Sequence, residues 1–171
     1  MPTVNDFRAS AFDLSRVDKA GKNVGRVAYW KLYAIENIVR VIIHSVLTVQ
    51  IGPNWWASAA GGPLQKRVTS FMHSYAQQPW HSTPGRHEIY YTFLGDLNEI
   101  LRSHSHLFDP VIDNIDQWIA RLEQIRFPRN IVGHMNWLTA ADRKRIDVLH
   151  SDIQALLRHL VSKGLLTTQI P

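Results

Sequence analysis

The 171-residue chain contains no cysteine. That absence removes disulfide frameworks, thiolate zinc sites and cysteine nucleophiles together, and it fits a reducing, cytoplasmic setting. Internal repeats and low-complexity tracts are also lacking, as are alternating polar–apolar runs of the kind a half-buried strand requires. Met1 to Arg16 carry Asp6, Arg8 and Asp13 without an apolar run, so they do not read as a secretory signal. The most apolar stretch, Tyr29 to Ile51, has the length of a membrane span, but Lys31, Glu36, Arg40 and His44 interrupt it. Each charge at a bilayer centre costs roughly 2.5–3.5 kcal/mol, so no membrane association is expected. Gly61–Gly62 is not followed by Gly-Lys-Ser/Thr and is no phosphate loop.

What is present is a globular composition. Hydrophobic residues make up 45% and charged residues 19%, which excludes the weakly hydrophobic, highly charged signature of disorder. Nineteen basic residues against fourteen acidic give a net charge of +5, a mild bias towards polyanions.

The apolar spacing is helical. Leu32, Ile35, Val39, Ile42, Val46 and Val49 recur at intervals of three and four, and Tyr29, Ile38, Val41, Ile43 and Leu47 widen that stripe into a central helix ended by Gly52–Pro53. Further helices are expected over Leu64–Gln78, over Ile89–Ser103 and from Asp109–Pro110, with proline at the first helical position. Pro128 is expected to break or restart that last one, giving a short helix to Met135. Thr139 should cap a final helix, Ala140–Ser162, that Gly164 ends. The expectation is an all-α bundle of four to five main helices in residues 26–164. An N-terminal extension, 1–25, would carry a short helix around Ala9–Ala20 bracketed by Gly21 and Gly25, and 165–171 would form a tail.

One segment concentrates chemistry: Arg126-Phe-Pro-Arg129-Asn130-Ile-Val-Gly-His134. With a helix starting at Pro128, Asn130 and His134 share a face, and Arg129 lies in the first turn, where free N–H groups and the dipole favour an anion. Five residues separate Arg129 from His134, so their directions diverge by about 140°. The long arginine can reach a phosphate near the histidine better than the histidine itself. An imidazole beside a guanidinium suits metal-free RNA cleavage, in which a base deprotonates the ribose 2′-OH and an acid protonates the leaving 5′-oxygen. The arginine would stabilise charge on the phosphoryl oxygens. One histidine per chain is thin for both roles, and a symmetric dimer would supply two. Caps and ordinary surface residues at a helix boundary are the plain alternative.

Arg129-Asn130-Ile131-Val132-Gly133-His134 resembles the Arg-Asn-x-x-x-His motif of the HEPN superfamily. Tyr33-Ala-Ile-Glu36-Asn-Ile-Val-Arg40, followed by Gly52-Pro-Asn-Trp55-Trp56, is similar to the first helix and loop of one branch, typified by the C-terminal domain of a transcript-quality-control endoribonuclease. The resemblance spans roughly residues 27–160. It implies a helical homodimer with the motif at the dimer cleft, often a metal-independent endoribonuclease in toxin–antitoxin or defence settings. It would give Arg129 the phosphate-binding role and His134 the catalytic role, with Asn130 as the polar residue after the arginine. Proline directly before the arginine departs from the pattern.

Other candidates carry competing readings. Glu36, Arg40 and His44 stack as one polar stripe, either aligning the Arg129/His134 cleft or contacting RNA, or serving only as an i,i+4 ion pair of a few tenths of a kcal/mol. From Arg121 to Arg145 there are six basic residues (Arg126, Arg143, Lys144 and Arg145 among them) against two acidic, as RNA binding would want and as a solvated helix start would also show. His81/His87 and His104/His106 lack a third ligand at diagnostic spacing, so no metal and no cofactor is expected. Trp55 and Trp56 read as a loop anchor before a base-stacking pair. The expected function is an endoribonuclease leaving 2′,3′-cyclic phosphate and 5′-hydroxyl ends, with a neutralising antitoxin as an expected partner. Its rivals are a non-catalytic RNA- or nucleotide-binding or protein-interaction module and, more distantly, a DNA-binding regulator, for which no helix-turn-helix pattern is visible.

Overall fold

A computed structural model of the chain describes residues 14–166 and Ile170, and the described part is all helical, without strands. The elements are α1 (Leu14–Val24), a π-helical segment (Gly25–Tyr29), α2 (Trp30–Gln50), α3 (Trp55–Ala59) and α4 (Gly62–Ala76). A 3₁₀ turn (Glu88–Tyr91), α5 (Leu94–Ser103), α6 (Ser105–Phe108), α7 (Ile115–Gly133) and α8 (Ala140–Ser162) complete the order. The expected helix at Ala9–Ala20 lies partly outside the described residues.

α2 is the central rod. Leu32, Ile35, Val39, Ile42, Ile43, Val46 and Leu47 are all buried, and the helix packs on α8 and α5, while α7 closes the bundle against α5 and α8. The α8 stripe predicted from spacing is largely inside: Ile146, Leu149, Ile153 and Leu160 are buried. Thr139 caps α8, its Oγ1 accepting from the Asp142 N–H at 3.1 Å.

Three expectations are corrected. Gly21 and Gly25 do not end a helix: α1 runs through the π segment into α2 without a break. Neither glycine faces a close neighbour, so surrounding packing gives the chain no reason to turn there. By length and composition this rod, Ser15–Gln50, is long and apolar enough to cross a membrane, and half of its most apolar stretch is buried against neighbouring helices. Asp109–Pro110 does not open a helix. The chain turns until Asn114, which adopts a left-handed φ of 56°, and α7 starts at Ile115. Pro128 neither breaks nor restarts α7, which passes through it to Gly133. A proline there costs a backbone hydrogen bond, about 3 kcal/mol in an exposed helix. Here its ring is buried, and its fixed φ already suits the helix, so packing offsets the loss.

Trp55 and Trp56 are buried, which fits the loop anchor and removes them from base stacking. The Trp55 indole N–H donates to His44 Nδ1 at 3.2 Å, and Trp55 stacks on His87, whose Nδ1 accepts from the Ile89 N–H at 3.1 Å. His44 Nε2 lies 3.5 Å from Thr48 Oγ1. Burial pushes both imidazoles below the ordinary histidine value of 6.5; His87 lowers His44 further, and Glu88 partly restores His87. Because folding depresses both values, the unfolded chain binds more protons as the pH drops below about 6.5, and stability falls. Denaturation curves should therefore be flat above pH 7 and show stability falling as the pH drops below about 6.5. A double variant, His44→Gln with His87→Gln, should reduce that slope and leave the share of His150, whose pKa burial also lowers.

Candidate functional site

Three charged side chains from two helices meet at one point: Glu36 and Arg40 from α2 and Arg129 from α7. Arg129 donates from Nε to Glu36 Oε2 at 3.1 Å and from Nη2 to Oε1 at 3.3 Å, a two-pronged grip. Arg40 donates to the same Oε1 at 3.3 Å. Its remaining donors go to the Thr92 carbonyl at 2.9 Å, the Ile89 carbonyl at 3.3 Å and Asn37 Oδ1 at 3.1 Å. Arg40 is thus spent on the fold. Burial lowers its pKa, with Glu36 opposing and Arg129 reinforcing the shift.

Arg129 is different. Its side chain is 26% exposed against 11% for Glu36, and its Nη1 makes no hydrogen bond among the described residues. Nη1 lies 3.3 Å from the position a Cβ on Gly133 would take, so it points along the helix towards the residue before His134. Two guanidiniums share one carboxylate, which leaves one net positive charge at a partly open position. The Phe93 ring, half exposed, lies 5.8 Å from the guanidinium carbon of Arg129 and equally far from that of Arg67.

With α7 continuous through Pro128, Arg129 sits in the helix's last turns and not in a first turn. The helix-start anion argument therefore does not apply to it. His134 is the residue that closes α7, and it is exposed. The helix ends by two reversed bonds: Met135 N–H to the Val132 carbonyl and Asn136 N–H to the Ile131 carbonyl, both 2.9 Å. The same pair of bonds ends α8, from Gly164 to Val161 and Leu165 to Leu160. There the left-handed position is glycine, φ 67°; after α7 it is Met135, φ 58°, almost fully exposed. A left-handed methionine costs about 1–2 kcal/mol, and the strain falls next to His134. The backbone N–H of His134 reaches the Asn130 carbonyl at 2.9 Å, but the two side chains form no hydrogen bond. Asn130 does not hold the imidazole here, although His134 keeps its helical N–H bond to the Asn130 carbonyl.

A groove of about 510 Å³ opens beside these groups, within the size range of small-ligand sites. Val17 and Val24 of α1, Leu32 of α2 and Val132 of α7 give it apolar walls, and Glu36 and Arg129 supply its charge. Tyr29, Tyr33 and Met135 line it with large exposed faces. The π-helical segment borders one side and the Met135 turn the other; such irregular backbone concentrates at functional sites.

Of the other sequence candidates, His44 turns away from this cluster into the Trp55–His87 pocket, as α2's rotation over eight residues dictates. Arg126 pairs with Glu123, whose carboxyl it holds below the usual range, and lies over Phe127. Arg143 lies over Trp137, Arg145 pairs with Asp142, and Lys144 is exposed. No three His, Asp or Glu side chains stand close enough to hold a metal among the described residues. Sequence reading missed α1, Tyr29 and Trp137 as groove walls. Only the aromatic spacing Tyr29, Trp30, Tyr33 on one helix hinted at an exposed face.

No protein-family model, curated protein or solved structure matches the chain.

Two stability outcomes follow from this geometry. Met135→Gly should stabilise the chain by about 1 kcal/mol in urea denaturation, because it relieves a left-handed side chain without removing packing. Glu36→Gln should destabilise it by about 3 kcal/mol, since it strands two guanidiniums that share a carboxylate; a change under about 0.5 kcal/mol would mean the cluster contributes nothing.

Proposed function

We propose that the chain is a HEPN-type, metal-independent endoribonuclease acting as a homodimer. The observation that carries this reading is the Arg129 guanidinium, gripped by Glu36 through two nitrogens with its third free beside the Gly133–His134 turn. A fixed guanidinium with one open prong is what a phosphoryl group gaining charge requires. In the reaction, the ribose 2′-oxygen attacks the adjacent phosphorus as its proton passes to a base. The bond from phosphorus to the 5′-oxygen breaks, and that oxygen takes a proton from an acid. His134 of one copy serves as base and His134 of the other as acid. The exposed Tyr29, Tyr33 and Met135 around the groove offer the second copy an apolar rim.

A second reading is a non-catalytic RNA- or nucleotide-binding module. It is favoured by the side chains of Asn130 and His134, which make no hydrogen bond among the described residues and so leave the imidazole unoriented.

The test is cleavage of a labelled RNA in EDTA. Wild type should cut; Arg129→Ala should slow cutting about 10²- to 10³-fold, and His134→Ala about 10²- to 10⁴-fold. Loss of all cutting in EDTA, or full activity in His134→Ala, would overturn the mechanism. Salt-sensitive binding with no cleavage would select the second reading.

A further inference from the structure

A second groove, of about 400 Å³, lies between the start of α2 and the start of α8. It is lined by Arg26, Trp30, Lys31, Arg143, Lys144 and Asp147. Four cations there face one carboxylate, which pairs with Lys31. Arg26 and Lys144 are exposed and make no ion pair among the described residues. Trp30 is half exposed, and its ring is fixed: the indole N–H donates to the Arg26 carbonyl at 2.8 Å, and His150 meets the ring edge-on at 4.8 Å.

This groove adjoins the first. Tyr29 lines one and the next residue, Trp30, the other. Trp137 lines the first, and Arg143 of the second lies 5.7 Å from its ring. We infer that the second groove holds the single-stranded RNA that flanks the scissile phosphate on one side. Arg26 and Lys144 take backbone phosphates, and Trp30 stacks a base. This extends the endoribonuclease reading to a substrate of several unpaired nucleotides. Cations interleaved with a braced, half-exposed indole suit a strand that alternates charge and π-faces; an acidic peptide would use the charge alone.

The experiment measures the anisotropy of a fluorescent, about 12-nucleotide unstructured RNA, with the full chain carrying His134→Ala so that the probe stays intact. Adding Arg26→Gln and Lys144→Gln should weaken binding about tenfold at moderate salt. It should also make the slope of log Kd against log salt shallower by about 1.4, the share of two phosphate contacts. Circular dichroism confirms folding. A control pair of equal charge change at the far end of α8, Arg158→Gln with Lys163→Gln, should leave both quantities unchanged. An unaltered slope in the groove variant overturns the inference, as does equal displacement of the RNA by an oligoglutamate of matched charge. Because the readout is binding, wild type that fails to cut RNA defeats the endoribonuclease reading while the groove result still stands or falls by the slope.

Discussion

The Glu36 carboxylate, shared between Arg40 and Arg129, is the constraint around which the rest is arranged. Arg40 carries it to the carbonyls of Ile89 and Thr92, and Arg129 carries it to α7. One buried acid therefore ties the central helix, the 3₁₀ turn and the motif helix together. Removing two cations and an anion from water is costly, and attraction recovers that cost only with close geometry and saturated donors. Arg40 meets that condition completely. Arg129 meets it with two of three nitrogens, so the arrangement ends with one oriented, partly exposed donor and one surplus positive charge.

Strain gathers at the same place. A helix that could close on glycine, as α8 does at Gly164, closes on Met135. A helix that could run regularly from α1 to α2 takes a π turn at Gly25–Tyr29. Both irregularities border the groove over Arg129. Backbone distortions persist where surrounding packing over-determines them, and the apolar walls from α1, α2 and α7 supply that packing. The basic groove next to it extends positive charge away from Arg129 without adding to the crowding there.

Much of the fold was legible because burial enforces period. The stripes of α2 and α8 stood out in the spacing of leucine, isoleucine and valine, and the Thr139 cap and Gly164 stop were readable from residue type. The pairing of Glu36 with Arg40 was visible as i,i+4. Its extension to Arg129, ninety-three residues on, was not, because no local rule sets which helices pack. Pro128 misled because local propensity forbids what a buried ring in an already helical register permits. That error displaced Arg129 from a late helical turn to a first turn. His44 looked like a member of the polar stripe, yet eight residues of helix rotate it to another pocket, where the Trp55 indole and the Thr48 hydroxyl meet its two nitrogens.

The chemistry rests on whether the oriented guanidinium and the exposed imidazole act on a phosphodiester through its own 2′-hydroxyl. Product ends report this directly. Fragments from wild type in EDTA should accept a 5′-phosphate from polynucleotide kinase without prior phosphatase, and their 3′ ends should carry 2′,3′-cyclic phosphate. Fragments with 5′-phosphates and free 3′-hydroxyls would show that water, not the ribose, attacks phosphorus, and would contradict the account.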